Sequence, residues 1–279
     1  MRLGNAAWGF RETPLEKQLE ITKNMGLDIL ECQIANHDND ALQIGCSDAE
    51  IENVKNLYKK YGIELICAAT GNDFTGENPD DAIEGVRKIT DVIDICAKLG
   101  VKYLRIFSGF SPVKDVVGER WDTMMACIND VYEYGRQNGV VPVIETHGGV
   151  DGFDDGVVHF ASTSSDPETL YKMVAEMPRG VMLNYDPANL YAIGIKNPDE
   201  VFAKIKDRVA YVHLKDFVKL PSGHLKPAAC GESDMDWTTI LKSLKDFDAP
   251  ALIEYENVED IAEGCQRSLD FVNNLLKTL

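Results

Sequence analysis

Short apolar segments alternate with longer amphipathic segments along the whole 279-residue chain. The apolar segments are continuous runs, which is typical of strands that are covered on both faces. These runs predict strands near residues 3–8, 27–34, 63–70, 103–110, 140–147, 180–187, 209–216 and 251–256. The amphipathic periodicity predicts helices over residues 14–25, 48–61, 79–99, 118–138, 166–176, 198–206, 237–246 and 259–278.

Local signals support several of these helix boundaries. Ser47-Asp48 and Asp166-Pro167 are typical helix starts, and Gly62 and Gly100 directly follow two of the predicted helices. Residues 149–164, GVDGFDDGVVHFASTS, are rich in glycine and aspartate. We interpret this segment as one long loop, which is either a lid or a solvent-exposed loop.

Eight strand–helix units without a low-complexity linker favour a closed barrel of parallel strands. The sequence therefore predicts an α/β fold, a (β/α)8 TIM barrel, with a single domain over residues 1–279. The alternative is a doubly wound open sheet, whose first turn usually carries a glycine-rich motif. Here that turn reads AAWGFRET, without GxGxxG or a P-loop.

Composition and charge narrow the classes of partner and the compartment. The net charge of −18 would repel nucleic acid and anionic membrane surfaces, so we expect neither as a partner. The seven cysteines are odd in number and show no CxxC spacing, which favours free core thiols in a reducing cytoplasm. No segment approaches the roughly 18 apolar residues of a membrane span, and MRLGNAAWGF lacks the apolar run of a signal peptide.

Acidic and imidazole side chains stand at the ends of four successive predicted strands: Glu145, Asp186, His213 and Glu254. The carboxyl ends of barrel strands are where such folds build their active sites. A lone acid there is often a helix cap or a salt-bridge partner, but four on successive strands are hard to explain in that way. Three carboxylates and one imidazole suit one divalent ion, Mn²⁺, Mg²⁺, Co²⁺ or Zn²⁺.

With these residues the chain resembles the xylose isomerase-like TIM barrels, the sugar phosphate isomerase/epimerase group. The resemblance covers nearly the whole chain and is most specific in VIETHGG, LNYDPANLY, YVHLKDF, and GESDMDW followed by ALIEYE. It implies that Glu145, Asp186, His213 and Glu254 are the metal ligands, and that Glu145 and Glu254 also move protons on opposite faces of a sugar carbon. It further implies a carbohydrate substrate and a homodimer or homotetramer.

Several reactions fit these four ligands. A divalent ion on a carbonyl oxygen stabilises the enediolate that forms when a carboxylate takes the neighbouring proton. Return of that proton to the other face gives epimerisation, return to the next carbon gives isomerisation, and loss of a β-hydroxyl gives dehydration. We predict a sugar isomerase or epimerase, with a lyase or dehydratase on a keto-glycoside or inosose as the alternative.

His147 is the residue on which this alternative depends. On a regular strand it lies on the same side as Glu145, one step further out, where it could serve as an acid or base. Such a Glu-x-His pair is similar to that of family members that eliminate groups from 3-keto-glycosides. Alternatively, His147 has a structural role and hydrogen-bonds the next loop.

Four further residues are predicted to bind substrate: Lys215, Asn189, Glu232 and Trp8. Asn189 stands where the epimerases usually carry a histidine, and Ser233 follows Glu232 where the family motif commonly has glycine. The competing roles are a salt bridge for Lys215, a chain turn for Glu232 and simple packing for Trp8.

Two other functions fit less well. A nuclease similar to endonuclease IV would need many histidines and an attraction for DNA, whereas the chain has five histidines and a charge of −18. A non-catalytic sugar-binding barrel would have no need of four intact ligands.

Overall fold

A computed structural model describes residues 1–279. It contains twelve strands: β1 (Arg2–Asn5), β2 (Cys32–Gln33), β3 (Cys67–Ala69), β4 (Tyr103–Ile106), β5 (Val141–Glu145), β6 (Gly149–Phe153), β7 (Gly156–Phe160), β8 (Met182–Tyr185), β9 (Val209–Leu214), β10 (Asp216–Lys219), β11 (Leu225–Ala228) and β12 (Pro250–Ile253). It also contains nine α-helices: α1 (Leu15–Asn24), α2 (Asp48–Tyr61), α3 (Pro79–Leu99), α4 (Glu119–Asn138), α5 (Pro167–Glu176), α6 (Pro187–Ala192), α7 (Pro198–Ile205), α8 (Trp237–Leu244) and α9 (Ile261–Leu276).

Eight of the strands form one parallel sheet that curls into a barrel, in the order β1-β12-β9-β8-β5-β4-β3-β2. The seam between β1 and the chain before β2 is closed by Asn5. Its backbone N–H donates to the carbonyl of Ile29 at 3.0 Å, and its carbonyl accepts from the N–H of Glu31 at 3.0 Å. The predicted single-domain (β/α)8 barrel is therefore confirmed, and the doubly wound alternative is wrong.

Helix boundaries follow the capping signals closely. Ser47 and Glu50 exchange hydrogen bonds in a capping box at the start of α2, and Asn78 caps α3 ahead of Pro79. Gly62 and Gly100 end the same two helices with φ angles of 63° and 79°, a left-handed conformation that only glycine adopts readily. The structure therefore gives both helices the predicted bounds.

Two β-hairpins and one short helix depart from the sequence prediction. The loop predicted over residues 149–164 contains β6 and β7, joined by a two-residue turn at Asp154 and Asp155. A second hairpin, β10 and β11, follows β9, and the four strands form a separate antiparallel sheet in the order β10-β11-β7-β6, here called the small sheet. The helix α6 begins directly after β8, where no helix was predicted.

The apolar core lies between the barrel and its helices, with a second cluster inside the barrel. The inner cluster consists of Ala6, Ile29, Cys67, Val143, Ala210, Tyr211 and Leu252. Val143, Tyr211 and Leu252 each precede a predicted metal ligand by two residues, so strand alternation points both members of each pair to the barrel interior. The predicted ligands therefore lie directly above the apolar cluster inside the barrel. All seven cysteines are free thiols.

None of the helices combines the length and the apolar character that crossing a membrane requires.

Candidate metal centre and substrate cavity

The four predicted metal ligands meet at the carboxyl ends of four neighbouring barrel strands, β5, β8, β9 and β12. Glu145, Asp186, His213 and Glu254, here called the tetrad, each offer one ligand atom, and these atoms all lie within 4.8 Å of one another. All four side chains are 3% exposed or less. The barrel thus concentrates three carboxylates and one imidazole in a space that water scarcely reaches.

Several tetrad atoms lack the hydrogen bonds that buried polar atoms normally make. Asp186 Oδ2 and both ring nitrogens of His213 are buried without a hydrogen-bond partner. His213 Nδ1 lies 3.3 Å from Glu254 Oε2 and 3.8 Å from Glu145 Oε1. Because unpaired buried polar atoms are costly, this donor set fits a divalent cation.

Asp186 has two roles because its two oxygens face different ways. Oδ1 caps α6 by accepting from the N–H groups of Ala188 at 2.8 Å and Asn189 at 3.1 Å. Oδ2 makes no hydrogen bond and lies 3.3 Å from Lys215 Nζ. The helix-cap interpretation and the ligand interpretation are therefore compatible, since the cap fixes the carboxylate and leaves one oxygen for the tetrad.

His213 is backed by a second carboxylate on its far side. Its Nε2 lies 3.6 Å from Oε1 of Glu31, which also accepts a hydrogen bond from the Tyr211 hydroxyl at 2.8 Å. Glu31 Oε2 accepts from the backbone N–H of Ala7 at 3.2 Å. A carboxylate behind a ligating histidine orients the ring and raises its basicity. This arrangement leaves Nδ1 as the tetrad atom.

The environments of the three tetrad carboxylates push their pKa values apart. Burial would raise the pKa of Glu145, but the charges of Arg105 and His213 lower it to about 2. Burial raises the pKa of Asp186 to about 7, against the opposing charge of Lys215. Burial would also raise the pKa of Glu254, but the positive charges of His213 and Lys215 outweigh it and hold this pKa well below its usual range.

A cavity of about 420 Å³ opens beside the tetrad, and Glu145 and Glu254 line it. The predicted residues His147, Lys215 and Trp8 also line this cavity. Lys215 Nζ lies 2.8 Å from Glu254 Oε2 and 3.2 Å from Glu256 Oε1, so its salt-bridge partners are site carboxylates. Lys215 therefore contacts the tetrad and also lines the cavity.

His147 both lines the cavity and bonds to the next residue. Its Nδ1 lies 2.5 Å from the Gly148 carbonyl oxygen, which can only accept, so Nδ1 carries the proton. Burial lowers the pKa of His147, which keeps the ring neutral. The ring packs edge-on against Phe107 and Phe110 at centroid distances of 5.2 and 5.6 Å. Nε2 is consequently a free proton acceptor on a fixed ring.

Two predicted substrate residues lie outside the cavity lining. Asn189 is fully buried, and its Nδ2 donates to Glu145 Oε1 at 3.0 Å. Glu232 is exposed; its Oε1 accepts from Arg267 Nε at 3.0 Å and its Oε2 accepts from the Ala229 N–H at 2.9 Å. In this structure Asn189 therefore supports a tetrad member, and Glu232 pairs with α9 at the surface.

Sequence reasoning missed most of the cavity wall. His159, Val157, Phe217 and Pro227 all come from the small sheet, which was not predicted. A signal was present in FDDG, because two short acidic turn residues between alternating segments are typical of a hairpin. Arg105, whose Nε lies 3.3 Å from Glu145 Oε2, also lines the cavity.

Comparisons with known proteins agree with this fold. A family model described as xylose isomerase-like TIM barrel matches residues 19–275. Among solved structures, the IOLI protein with a binding zinc atom aligns with a TM-score of 0.77 at 17% identity, covering 100% of this chain and 99% of its own.

Two further solved structures align over nearly the whole chain. L-ribulose 3-epimerase gives a TM-score of 0.75 at 15% identity, covering 99% of this chain and 95% of that one. The probable 3-DHS dehydratase AsbF from Bacillus anthracis gives a TM-score of 0.74 at 14% identity, covering 97% and 99%. Curated protein sequences give no significant match.

Proposed function

Because the chain belongs to the xylose isomerase-like TIM barrel family, we propose that it is a divalent-metal-dependent isomerase or epimerase of a keto-sugar or related polyol. One observation carries the proposal: four ligand atoms within 4.8 Å of one another, at the side of a cavity large enough for a sugar. An epimerase and a dehydratase among the structural neighbours support sugar-directed chemistry.

The ion would be held by carboxylate oxygens of Glu145, Asp186 and Glu254 and by Nδ1 of His213. A bound divalent ion supplies Lewis-acid stabilisation of the negative charge that develops on a carbonyl oxygen when the adjacent carbon loses its proton. The chain also orients these ligands before any substrate arrives. Glu31 Oε1 lies 3.6 Å behind Nε2 of His213, and the N-terminus of α6 holds Asp186 by hydrogen bonds.

Glu145 is suited to take the proton because it is ionised and firmly oriented. Asn189 donates to its Oε1 at 3.0 Å and Arg105 lies 3.3 Å from its Oε2. Glu254 lines the same cavity and is kept ionised by Lys215 and His213. Two carboxylates bordering one substrate space provide the pair of proton carriers that transfer between faces or between neighbouring carbons requires.

A second candidate, elimination from a keto-glycoside or inosose, is favoured by His147. In that reaction a carboxylate removes the proton beside the carbonyl, the bond to the β-substituent breaks, and a carbon–carbon double bond forms. The departing group then needs a proton. His147 carries a free Nε2 on a ring that lines the cavity, and such a nitrogen can accept a proton and pass it to the departing group.

Deuterium exchange tests the proposal. Metal-loaded protein is incubated in D₂O with ketoses, keto-glycosides and inososes, the ion is removed with a chelator, and each compound is analysed by NMR. We expect deuterium at a carbon beside the carbonyl together with an isomer, and loss of both in Glu254→Gln. Deuterium uptake with loss of water or an aglycone would select the lyase. No exchange with any compound, in protein shown to hold the ion, would contradict enolisation.

A further inference from the structure

One face of the small sheet forms a wall of the cavity. Val157 and His159 alternate with Val158 along β7, and Val150 of β6 pairs directly with His159. Strand alternation therefore points Val150, Val157 and His159 to the same side. All three line the cavity, whereas Val158 is 37% exposed on the opposite face.

The other hairpin continues this wall. Phe217 of β10 pairs with Pro227 of β11, and Leu225, two residues before Pro227, pairs with Val157. Phe217 and Pro227 thus share the cavity face. Phe107 and Phe110, at the end of β4, extend the same apolar surface with ring centroids 4.7 Å apart. Together these side chains form the apolar subsite: Phe107, Phe110, Val150, Val157, Phe217 and Pro227.

A sugar ring alone does not account for this surface. Sugar hydroxyls need hydrogen-bond partners, and the apolar subsite offers none from its six side chains. The cavity of about 420 Å³ lies in the range of roughly 300–1,000 Å³ that is usual for drug-sized ligands, which leaves room for a second ring beside the sugar. Faces and edges of aromatic side chains provide good partners for another aromatic ring.

The charges around the cavity disfavour an anionic ligand. Arg105 and Lys215 are the cations, and the carboxylates are Glu31, Glu145, Asp186, Glu254 and Glu256. With a divalent ion on the tetrad, the two positive side chains, the five carboxylates and the ion sum to −1. His159 adds no charge near neutral pH because burial lowers its pKa to about 3.

We propose that the apolar subsite binds an uncharged aromatic group attached to the keto-sugar, so that the substrates are neutral aryl keto-glycosides. This inference rests on the proposed function for the sugar half of the substrate. It assigns the small sheet a specificity role, because this sheet places four of the six apolar side chains beside the tetrad.

Calorimetry on the metal-loaded full chain tests this subsite without any turnover. The probes are phenyl and methyl pairs of β-D-glucopyranoside and β-D-galactopyranoside, together with the 4-carboxyphenyl glycosides. We expect the phenyl member of at least one pair to bind about tenfold more tightly than the methyl member, and the carboxyphenyl compound to lose that gain. If no phenyl glycoside binds, or if each pair binds equally, the proposal is overturned.

Val157→Asn and Val158→Asn form a matched pair on opposite faces of one strand. We expect Val157→Asn to weaken phenyl glycoside binding about tenfold with little effect on the methyl partner, and Val158→Asn to change neither. Saturation-transfer NMR on the unmodified protein covers the case in which Val157→Asn does not fold. The strongest transfer should fall on phenyl protons, and transfer mainly to sugar protons contradicts the subsite.

The two proposals fail separately. Aryl preference without deuterium exchange in any keto compound would remove the proposed function and leave the subsite. Exchange with free ketoses and no aryl preference would remove the subsite and leave the function.

Discussion

The tetrad and the small sheet border the same cavity but are built in different ways. The tetrad side chains stand at the ends of barrel strands and are almost completely buried, with exposures of 3% or less. The small sheet consists of two hairpins in connecting segments, and its cavity residue Val150 is 42% exposed. In barrels the strand ends supply fixed geometry and the loops supply variation. Under the two proposals, the tetrad carries out the chemistry and the small sheet selects the substrate.

The largest effect should come from a tetrad carboxylate. Glu254→Gln removes a charge from the proposed ion site and a proton carrier from the cavity. We expect deuterium exchange to fall by about 10²–10⁴-fold, together with weaker binding of the ion. Exchange rates by NMR and ion titration by calorimetry measure the two losses.

Glu263→Gln is the matched control, because Glu263 is an exposed glutamate of α9 without a salt bridge. Equal losses of exchange in both variants, or unchanged exchange in Glu254→Gln, would show that the tetrad does not carry out the proton transfer.

A smaller and more selective effect is expected at His147, where the two regions meet. His147→Gln removes Nε2 as a proton acceptor but leaves the tetrad intact. Elimination should slow by about 10²-fold while deuterium exchange beside the carbonyl changes by less than about tenfold. NMR resolves both rates in one sample. Equal slowing of the two steps would place His147 in proton removal itself.

The barrel and the small sheet should also differ in how much their side chains contribute to stability. Leu252 is fully buried inside the barrel, so Leu252→Ala should lower the free energy of unfolding by about 2–5 kcal/mol. Val150→Ala on the small sheet should change it by less than about 0.5 kcal/mol. Urea unfolding of the metal-free protein compares them. Similar losses would show that the small sheet is as firmly integrated as the barrel.

The last prediction concerns stability in acid. Burial lowers the pKa of His159 to about 3, below the value of about 6.5 expected in the unfolded chain. The unfolded state therefore binds the proton first, and the stability linked to neutral His159 is present above pH 6.5 and lost as pH falls towards 3. The difference in unfolding free energy between wild type and His159→Gln should shrink by at most about 1.4 kcal/mol per pH unit in that window. If the difference in unfolding free energy between the two proteins does not change with pH, the pKa of His159 is not lowered by burial.

The sequence predicted the barrel because its strand–helix alternation repeats over the whole chain. Strong local signals such as the capping box of Ser47 and Glu50 fixed helix bounds as well. The four tetrad residues could be singled out because each follows an apolar strand, and parallel strands that end at one rim bring their last residues together.

The remaining parts of the site depend on contacts that local patterns do not encode. The small sheet is stabilised by pairing between hairpins more than fifty residues apart, such as Leu225 with Val157. Glu31 supports His213 across the barrel interior, from a strand end far away in sequence. The double role of Asp186 needed both α6 and the tetrad to be visible.

Anomalous diffraction from crystals soaked in a manganese salt would show whether the tetrad holds an ion. We expect one strong peak at the manganese edge, about 2.0–2.3 Å from oxygens of Glu145, Asp186 and Glu254 and from Nδ1 of His213. Lys215 Nζ, which lies 2.8 Å from Glu254 Oε2 here, should then shift from the tetrad towards Glu256. A map without a peak among these four residues, with Lys215 still paired to Glu254, would contradict the metal centre.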